Sequence, residues 1–317
     1  AEEQRISLRA INLAACWSSR IDDRSTPAFH EYLFFYDFLT QNGGAWVEDG
    51  ILIDAFDLKL PAEQWSVLLG PSGVGKTSLL RLIAALPSAA RLDGDITACD
   101  GAPIASRVAM MAQDDQLLPW ASALDNVTIC ARLRGERPRP DRAKTLLAQV
   151  GLADLAARKP SHLSAGQRQR VALARTLYED RAIVLLDEPF SALDAMTRET
   201  LRIELLRLWE RRHMAVVFVT HDIDEAIILS QRIVVLRPRP GRIDAVVPVD
   251  LPEPRSQVDP RGLPAFADLR RSLWDRIHAM GREGTVLEEL TGAPSEHAPH
   301  GGESRSGHLS ASLGDHR

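Results

Sequence analysis

Short apolar runs alternate along the chain with longer stretches in which apolar residues recur every three to four positions. The runs are typical of buried strands, and they cover residues 65–69, 107–112, 182–186, 215–220 and 232–236. Helical periodicity follows most of them, over residues 75–85, 166–178, 195–211 and 223–230. Less apolar strands are predicted at 5–14 and 51–60. This alternation predicts an α/β fold, with a mostly parallel sheet that helices cover on both faces and an antiparallel β edge.

The stretches between these elements suggest how the chain is organised. Residues 114–165 are mostly helical in pattern, with a proline-rich break at 137–141, so we expect a helical subdomain there. Residues 265–280 fit one amphipathic helix, whereas 291–317 contain almost no apolar residues and are expected to form a disordered tail. We therefore expect one domain over 1–250, a helical extension over 251–290 and a tail over 291–317. The histidines of this tail either bind a metal ion or are exposed to solvent without a function.

Residues 21–50 do not fit the pattern on either side of them. Eleven residues of the whole chain are Phe or Tyr, and six of these fall between positions 29 and 38. As an amphipathic helix, this cluster would offer a docking face for a partner or for lipid headgroups. The alternatives are an insertion that packs on its own domain, and an irregularity without function.

The amino-acid composition limits which partners and which cellular compartment we expect for this protein. The chain has 317 residues, with 45% hydrophobic and 26% charged residues, as ordinary globular proteins have. Its 38 basic and 43 acidic residues give a net charge of −5, so there is no electrostatic reason to expect nucleic acid as a partner. Cys16, Cys99 and Cys130 are too far apart for a metal site and indicate a reducing compartment. No apolar run reaches the ~18 residues of a membrane span, and the first residues lack a signal-peptide pattern.

The most informative motif is Gly70-Pro-Ser-Gly-Val-Gly-Lys-Thr77, which fits the pattern of a phosphate-binding loop. A predicted strand precedes it and a predicted helix follows it. Glycines let backbone N–H groups turn towards a phosphate, and the helix N-terminus adds its positive dipole end. Lys76 would bridge the β- and γ-phosphates, and the Thr77 hydroxyl would bind Mg²⁺.

Two acids close the strand at 182–186. A carboxylate at the end of a parallel strand lies at the ligand crevice of an open α/β sheet. Asp187 suits coordination of Mg²⁺, and Glu188 suits the role of general base towards an attacking water. Adjacent acids at a strand end are otherwise often a solvated turn, and the phosphate-loop motif is what favours function here.

Three weaker signals follow the same order along the chain. Gln113 comes just after one predicted strand, where its amide could reach the metal and the attacking water. His221 comes just after another, where imidazole could contact a γ-phosphate. Leu163-Ser-Ala-Gly-Gln167 precedes a helix and offers a second N-terminus for phosphate. Taken singly, a Gln or His at a strand end is more often structural.

The ordered set of motifs resembles the ATP-binding cassettes of ABC transporters. The resemblance covers about residues 51–245 and includes Asp187-Glu-Pro189 and Ser191-Ala-Leu-Asp194 besides the motifs above. It implies a P-loop NTPase fold with a helical subdomain, the cofactors ATP and Mg²⁺, and a second cassette bound head to tail. It also implies roles for named residues: catalysis by Glu188, His221, Gln113 and Lys76, and metal binding by Thr77, Gln113 and Asp187. The implied nucleotide-binding residues are Gly70, Pro71, Ser72, Gly73, Val74, Gly75, Lys76, Thr77, Ser78 and Trp17, with Ser164, Ala165, Gly166, Gln167 and Asp194 acting at or between the two sites.

The chain departs from the family pattern at two places. Ala165 stands where the family usually has glycine, which is tolerable if this residue keeps a negative φ. The aromatic residue that stacks on adenine follows the first strand in the family, as Trp17 does here, although Trp46 lies closer to the phosphate loop. If 21–50 is an insertion in the first hairpin, Trp17 is the favoured residue.

Softer resemblances concern transport. The segments 117–120, 190–198 and 237–242 resemble importers for nitrate, sulfonate, taurine or pyrimidine precursors of thiamine, and residues 174–181 favour the pyrimidine branch. The resemblance thus implies the ATPase subunit of a bacterial importer, held by permease subunits at the cytoplasmic face of the membrane and served indirectly by a solute-binding protein. The alternative is an ABC-type ATPase without a transport role.

Overall fold

The computed structural model describes residues 3–12, 51–88, 91–96, 98, 104–212, 214–238 and 241–291. Trp17, Trp46, the predicted insertion 21–50 and nearly all of the predicted tail lie outside these residues. The strands are β1 (Glu3–Asn12), β2 (Ile51–Pro61), β3 (Trp65–Leu69), β4 (Arg91–Ile96), β5 (Val108–Met111), β6 (Ile183–Asp187), β7 (Ala215–Thr220), β8 (Arg232–Arg237) and β9 (Arg242–Pro248). The α-helices are α1 (Lys76–Ile83), α2 (Ala123–Leu133), α3 (Pro140–Gln149), α4 (Ala165–Tyr178), α5 (Ala195–Arg212), α6 (Ile223–Leu229) and α7 (Pro264–Thr291).

A six-stranded sheet forms the centre of the fold, in the order β5-β6-β7-β3-β8-β9. Its strands are parallel except for β9, which pairs antiparallel with β8. This confirms the mostly parallel sheet with an antiparallel edge. The position of β9 was not predicted, because its side chains are mostly partly exposed and its sequence, Arg-Ile-Asp-Ala-Val-Val-Pro, lacks the apolar run of a central strand.

A three-stranded antiparallel sheet, in the order β2-β1-β4, accompanies the central sheet. Buried residues of β2 and α1 pack on one face of the central sheet, and those of α2 to α7 pack on the other. Successive residues of β3 contribute to different cores. Val67 and Leu69 belong to the core on the side of α2 to α7, and Leu68 between them belongs to the core on the side of β2 and α1. Because successive side chains of a strand point to opposite faces, an unbroken apolar run serves both cores.

The segment between β5 and α4 contains helices α2 and α3 and two short 3₁₀ turns. The predicted proline-rich break coincides with the start of α3, where Pro140 occupies the first turn. Proline is favoured there because its missing N–H would be unsatisfied in any case. The predicted domain boundaries themselves stay predictions.

The last helix is longer than its apolar pattern indicated. We expected a helix over 265–280, and α7 runs from Pro264 to Thr291, so Thr291 belongs to the helix and not to the predicted tail. Phe266, Leu273 and Met280 are buried at seven-residue intervals along it. Within the part of the chain that the structure covers, no helix has both the length and the apolar composition that crossing a membrane requires.

Candidate functional site

Four predicted site segments meet at the carboxyl edge of the central sheet. Leu69, the last residue of β3, is level with Thr220 on β7, so Gly70 and His221 follow side by side. Asp187, the last residue of β6, is level with Val219 on β7. Met111 on β5 is level with Leu186, so Gln113 leaves the sheet beside Glu188. Parallel strands end at one edge, and this places phosphate loop, acids, glutamine and histidine together.

The phosphate loop connects β3 to α1. Gly73 and Gly75 have φ values of 79° and 96°, which side chains rarely tolerate, and Gly75 is the N-cap of α1. Val74, between them, is buried in the core below. Gly70 has no room for a side chain, because a Cβ there would lie 2.9 Å from the carbonyl oxygen of Leu236. One side of the loop therefore packs against the protein core through Gly70 and Val74, and the backbone on its other side can bind an anion.

The ammonium of Lys76 is held inside this loop. Its Nζ donates to the carbonyl oxygens of Gly70 and Pro71, both at 2.8 Å, and the residue is buried. Burial lowers the pKa of Lys76 below its ordinary value, while the carboxylates of Glu188 and Asp187 raise it in part. An ammonium has three donors, so one remains for a phosphate oxygen.

Asp187 is the acid that fits a metal ion. Its side chain is buried, and burial raises its pKa above the ordinary value, although a hydrogen bond with Thr77 and the charge of Lys76 lower it. Its Oδ2 has no hydrogen-bond partner among the residues that the structure describes. A buried carboxylate oxygen without a partner, beside a hydroxyl in the first turn of α1, is the donor set that Mg²⁺ takes next to phosphates.

Glu188 and His221 face each other across the ends of β6 and β7. His221 Nδ1 lies 3.3 Å from Glu188 Oε1. The histidine side chain is 67% exposed and the glutamate side chain is 19% exposed. The pair is therefore open to an incoming phosphate on the histidine side and partly shielded on the acid side.

The loop after Gln113 is tied to α4 by two arginines. Arg175 donates to the carbonyl oxygens of Asp115 and Gln116, both at 2.7 Å. Arg168 Nε donates to Asp115 Oδ2 at 2.8 Å. Gln113 itself is exposed. The structure thus leaves this glutamine at the edge of the sheet while fixing the backbone that follows it.

Residues 163–167 form a capped helix start on the surface. The Ser164 hydroxyl accepts from the Gln167 N–H at 3.2 Å, and Gln167 Oε1 accepts from the Ser164 N–H at 2.9 Å, which is a capping box. Ser164 and Ala165 are exposed. Ala165 lies in the first turn of α4, outside the positive-φ residues, so its methyl group brings no backbone strain.

Asp194 lies at the start of α5. Its Oδ1 accepts from the Thr197 N–H at 3.0 Å, and this backbone hydrogen bond lowers the pKa of the aspartate. The segment from Ser191 to Asp194 follows Glu188 directly, so it joins the acids at the sheet edge to α5. No described contact joins Asp194 to the phosphate loop.

Gln169 is a residue to which the sequence analysis gave no role. Its buried side chain reaches the turn that carries Glu188. Two sequence signals were present: Arg168-Gln-Arg170 belongs to the residues that carry the family resemblance, and a polar residue at 169 shares a helix face with the buried residues Ala172, Leu173 and Thr176.

Comparison with known proteins agrees with this geometry. The family model described as ABC transporter matches residues 53–191. An aliphatic sulfonates import ATP-binding protein of Streptomyces avermitilis is 43% identical over 212 residues, which is 67% of this chain and 80% of the relative. The chain belongs to the ATP-binding cassettes of ABC transporters.

Other relatives cover more of the cassette. A taurine import ATP-binding protein of Sinorhizobium fredii is 40% identical over 271 residues, covering 82% of this chain and 98% of the relative. Among solved structures, a dimeric post-hydrolysis state of the cassette MJ0796 bound to ADP and Pi matches with a TM-score of 0.56 and 28% identity. That match covers 66% of this chain and 95% of the other. The P-loop NTPase fold of the cassette is thereby confirmed, and so is its class as an ABC ATPase that binds ATP.

Proposed function

We propose that this cassette hydrolyses ATP with Mg²⁺ to drive uptake of a sulfonate or taurine through partner permease subunits. The observation that carries the proposal is the meeting of Lys76, Asp187, Glu188 and His221 at one edge of the sheet. The relatives named for aliphatic sulfonates and taurine support the substrate class. A thiamine-precursor pyrimidine or nitrate stays the alternative solute, and no observation favours a non-transport ATPase.

The residues of the chain divide the work of phosphoryl transfer. Backbone N–H groups of residues 72–77 and the Lys76 ammonium would hold the β- and γ-phosphates in place. Glu188 would accept the proton of a water that attacks the γ-phosphorus in line and forms inorganic phosphate, while ADP is the leaving group and takes the electron pair of the broken P–O bond. His221 would donate a hydrogen bond to the γ-phosphate, and Gln113 would orient the attacking water.

Thr77, Asp187 and Gln113 would hold Mg²⁺. The fit rests on the unpartnered, buried Oδ2 of Asp187 and on the neighbouring Thr77 hydroxyl. When bound, the ion would neutralise charge on the β- and γ-phosphates. Asp187 meanwhile keeps its carboxylate close to the loop because β6 ends there.

The partners of the cassette follow from its exposed residues and its relatives. Residues 164–167 start α4 at the surface, where a second copy would present its ATP in a head-to-tail homodimer. The dimeric structures of the cassette MJ0796 support the formation of a dimer. Trp120, in the segment after Gln113, is 58% exposed and would face a permease subunit. The proposed location is accordingly the cytoplasmic side of the membrane, through the permease.

Two experiments test the proposal separately. The purified full chain should hydrolyse ATP only with a divalent cation, and absence of any turnover, alone or with its permease, would contradict the ATPase mechanism. Deleting the gene should abolish growth on taurine or an aliphatic sulfonate as sulfur source, while growth on sulfate stays normal. Normal growth on both sulfonates would reject the substrate class and leave the ATPase intact.

A further inference from the structure

The side-chain amide of Gln169 makes three of its four possible hydrogen bonds to a single turn. Its Nε2 donates to the carbonyl oxygen of Glu188 and to Ser191 Oγ, both at 3.2 Å. Its Oε1 accepts from the Ala192 N–H at 3.0 Å. Gln169 is 3% exposed, so water does not compete for these three hydrogen bonds. A buried amide placed in this way fixes the turn 188–192 relative to α4.

The turn needs such support because of its backbone. Glu188 has a φ of 45°, a left-handed conformation that costs a non-glycine residue on the order of 1 kcal/mol. Three hydrogen bonds hold it: Glu188 N–H to the Val219 carbonyl at 3.1 Å, the Ser191 N–H to the Glu188 carbonyl at 3.2 Å, and the bond from Gln169. Since backbone conformation aims a side chain, these bonds decide where the Glu188 carboxylate lies.

The same helix touches this turn at a second place, near its exposed start. A Cβ built on Gly166 would lie 3.0 Å from Leu193 Cδ2 and 3.3 Å from the Ala192 carbonyl oxygen. The start of α4 is therefore packed closely against the turn after Glu188, and Gln169, about one helical turn further along, is hydrogen-bonded to that turn. Because closely packed elements transmit displacements to each other, we expect a shift of the start of α4 to reach the turn.

We propose that Gln169 is a positioning residue, which holds the Glu188 carboxylate in its working direction and links it to residues 164–167 of the same chain. The inference rests on the proposed role of Glu188 as the base. In the proposed head-to-tail dimer, residues 164–167 contact the ATP whose phosphate loop belongs to the partner. Gln169 then connects the partner's ATP to the base of its own subunit.

Two substitutions separate the parts of this arrangement. Gln169→Met keeps the length of the side chain and removes all three hydrogen bonds. Gln169→Glu keeps an acceptor for the Ala192 N–H and for the Ser191 hydroxyl, so the lost bond is the one to the Glu188 carbonyl. The matched control is Thr176→Val, on the same helix, where a buried hydroxyl donates to the Ala172 carbonyl at 3.0 Å and has no described bond to the turn after Glu188.

The first measurement is steady-state ATP hydrolysis by the full-length protein, with its melting temperature. Both Gln169 variants should lose about ten- to hundredfold in kcat, with KM for ATP within about twofold of wild type. Thr176→Val should keep its kcat whatever its melting temperature. Unchanged kcat in both Gln169 variants would overturn the inference, as would an equal loss in Thr176→Val.

Glu188→Gln distinguishes failure of this inference from failure of the proposed function. If Glu188→Gln is inactive and the Gln169 variants are normal, Glu188 keeps its role and only the role of Gln169 is wrong. If Glu188→Gln hydrolyses ATP normally, the proposed base is wrong and the inference falls with it.

Mixed dimers test the direction of the effect. One subunit carries Glu188→Gln, so a single site remains active, and Gln169→Met is placed in one subunit or the other. Turnover should fall when Gln169→Met is in the subunit that retains Glu188. It should stay within about twofold when the substitution is in the Glu188→Gln subunit. The reverse order, or an equal loss in both dimers, would overturn positioning within one subunit.

Discussion

His221 Nδ1 lies 3.3 Å from Glu188 Oε1, although 33 positions separate the two residues in sequence. Neither residue belongs to a helix, and each follows directly on a strand of the central sheet. Because the strands β6 and β7 are neighbours and parallel, the two side chains meet at the same edge. The contact places an acid and an imidazole where a γ-phosphate and its attacking water would lie.

Replacing Glu188 with Gln should separate binding from hydrolysis. The amide keeps the size of the side chain but accepts no proton, so we expect kcat to fall about 10²- to 10⁴-fold. MgATP binding should persist, and the ATP-bound dimer should accumulate on a sizing column. Glu204→Gln, on the surface of α5 beside Arg207, is the control and should behave as wild type. Full turnover by Glu188→Gln would rule this acid out as the base.

His221→Ala should lower kcat more than it lowers ATP affinity. The imidazole is largely exposed and faces the partly exposed Glu188, so its removal should leave no buried group without a partner among the residues that the structure describes. Loss of one hydrogen-bond donor to the transferring phosphate predicts a fall in kcat of about 10²- to 10³-fold. Stopped-flow binding of a fluorescent ATP analogue would measure affinity. His278→Ala, on exposed α7, should change neither quantity.

Lys76→Met should weaken ATP binding itself. The ammonium lies inside the phosphate loop, and each charge-assisted hydrogen bond is worth about 1.5–3 kcal/mol. We therefore expect affinity for ATP, measured by calorimetry, to fall about ten- to hundredfold. Lys144→Met on the exposed side of α3 removes the same charge from the surface. An affinity loss of equal size in that control would show that net charge, and not the loop lysine, is responsible.

Asp187→Asn should lower activity without lowering stability. Burial raises the pKa of this carboxyl, which means that the folded protein disfavours its ionised form. A neutral amide removes that cost, so the melting temperature of the nucleotide-free variant should equal or exceed that of wild type. Turnover should fall, and the Mg²⁺ concentration that half-saturates the remaining activity should rise. A variant that hydrolyses ATP with the wild-type Mg²⁺ requirement would exclude Asp187 as a ligand.

Gly70→Ala should destabilise the fold. The added Cβ would meet the Leu236 carbonyl oxygen at 2.9 Å and the Leu236 Cβ at 3.2 Å, both on the packed strand β8. Overpacking of this kind costs about 1–3 kcal/mol in the free energy of unfolding. Gly262→Ala is the control, because a Cβ there has no neighbour within 4 Å among the described residues. Urea denaturation of both variants would test the difference, and equal midpoints would contradict it.

The sequence by itself determined the local parts of this protein. Apolar runs predicted β3, β6, β7 and β8, because a strand buried on both faces needs no other signal. The phosphate loop was also predictable, since positive-φ glycines and a following helix start lie within eight consecutive residues. Trp17, Trp46 and the segment 21–50 remain predictions.

Only the tertiary structure decided which distant residues share the site. Strand order and register are non-local, and they alone bring His221 to Glu188 and Gly70 to the end of β7. The edge strand β9 was not predicted, because the partly exposed residues of an edge strand do not require an apolar run. The role of Gln169 was not predicted either, for a related reason. Helical spacing marks a buried face, but the partners of a buried amide depend on the packing of α4 against the turn after β6.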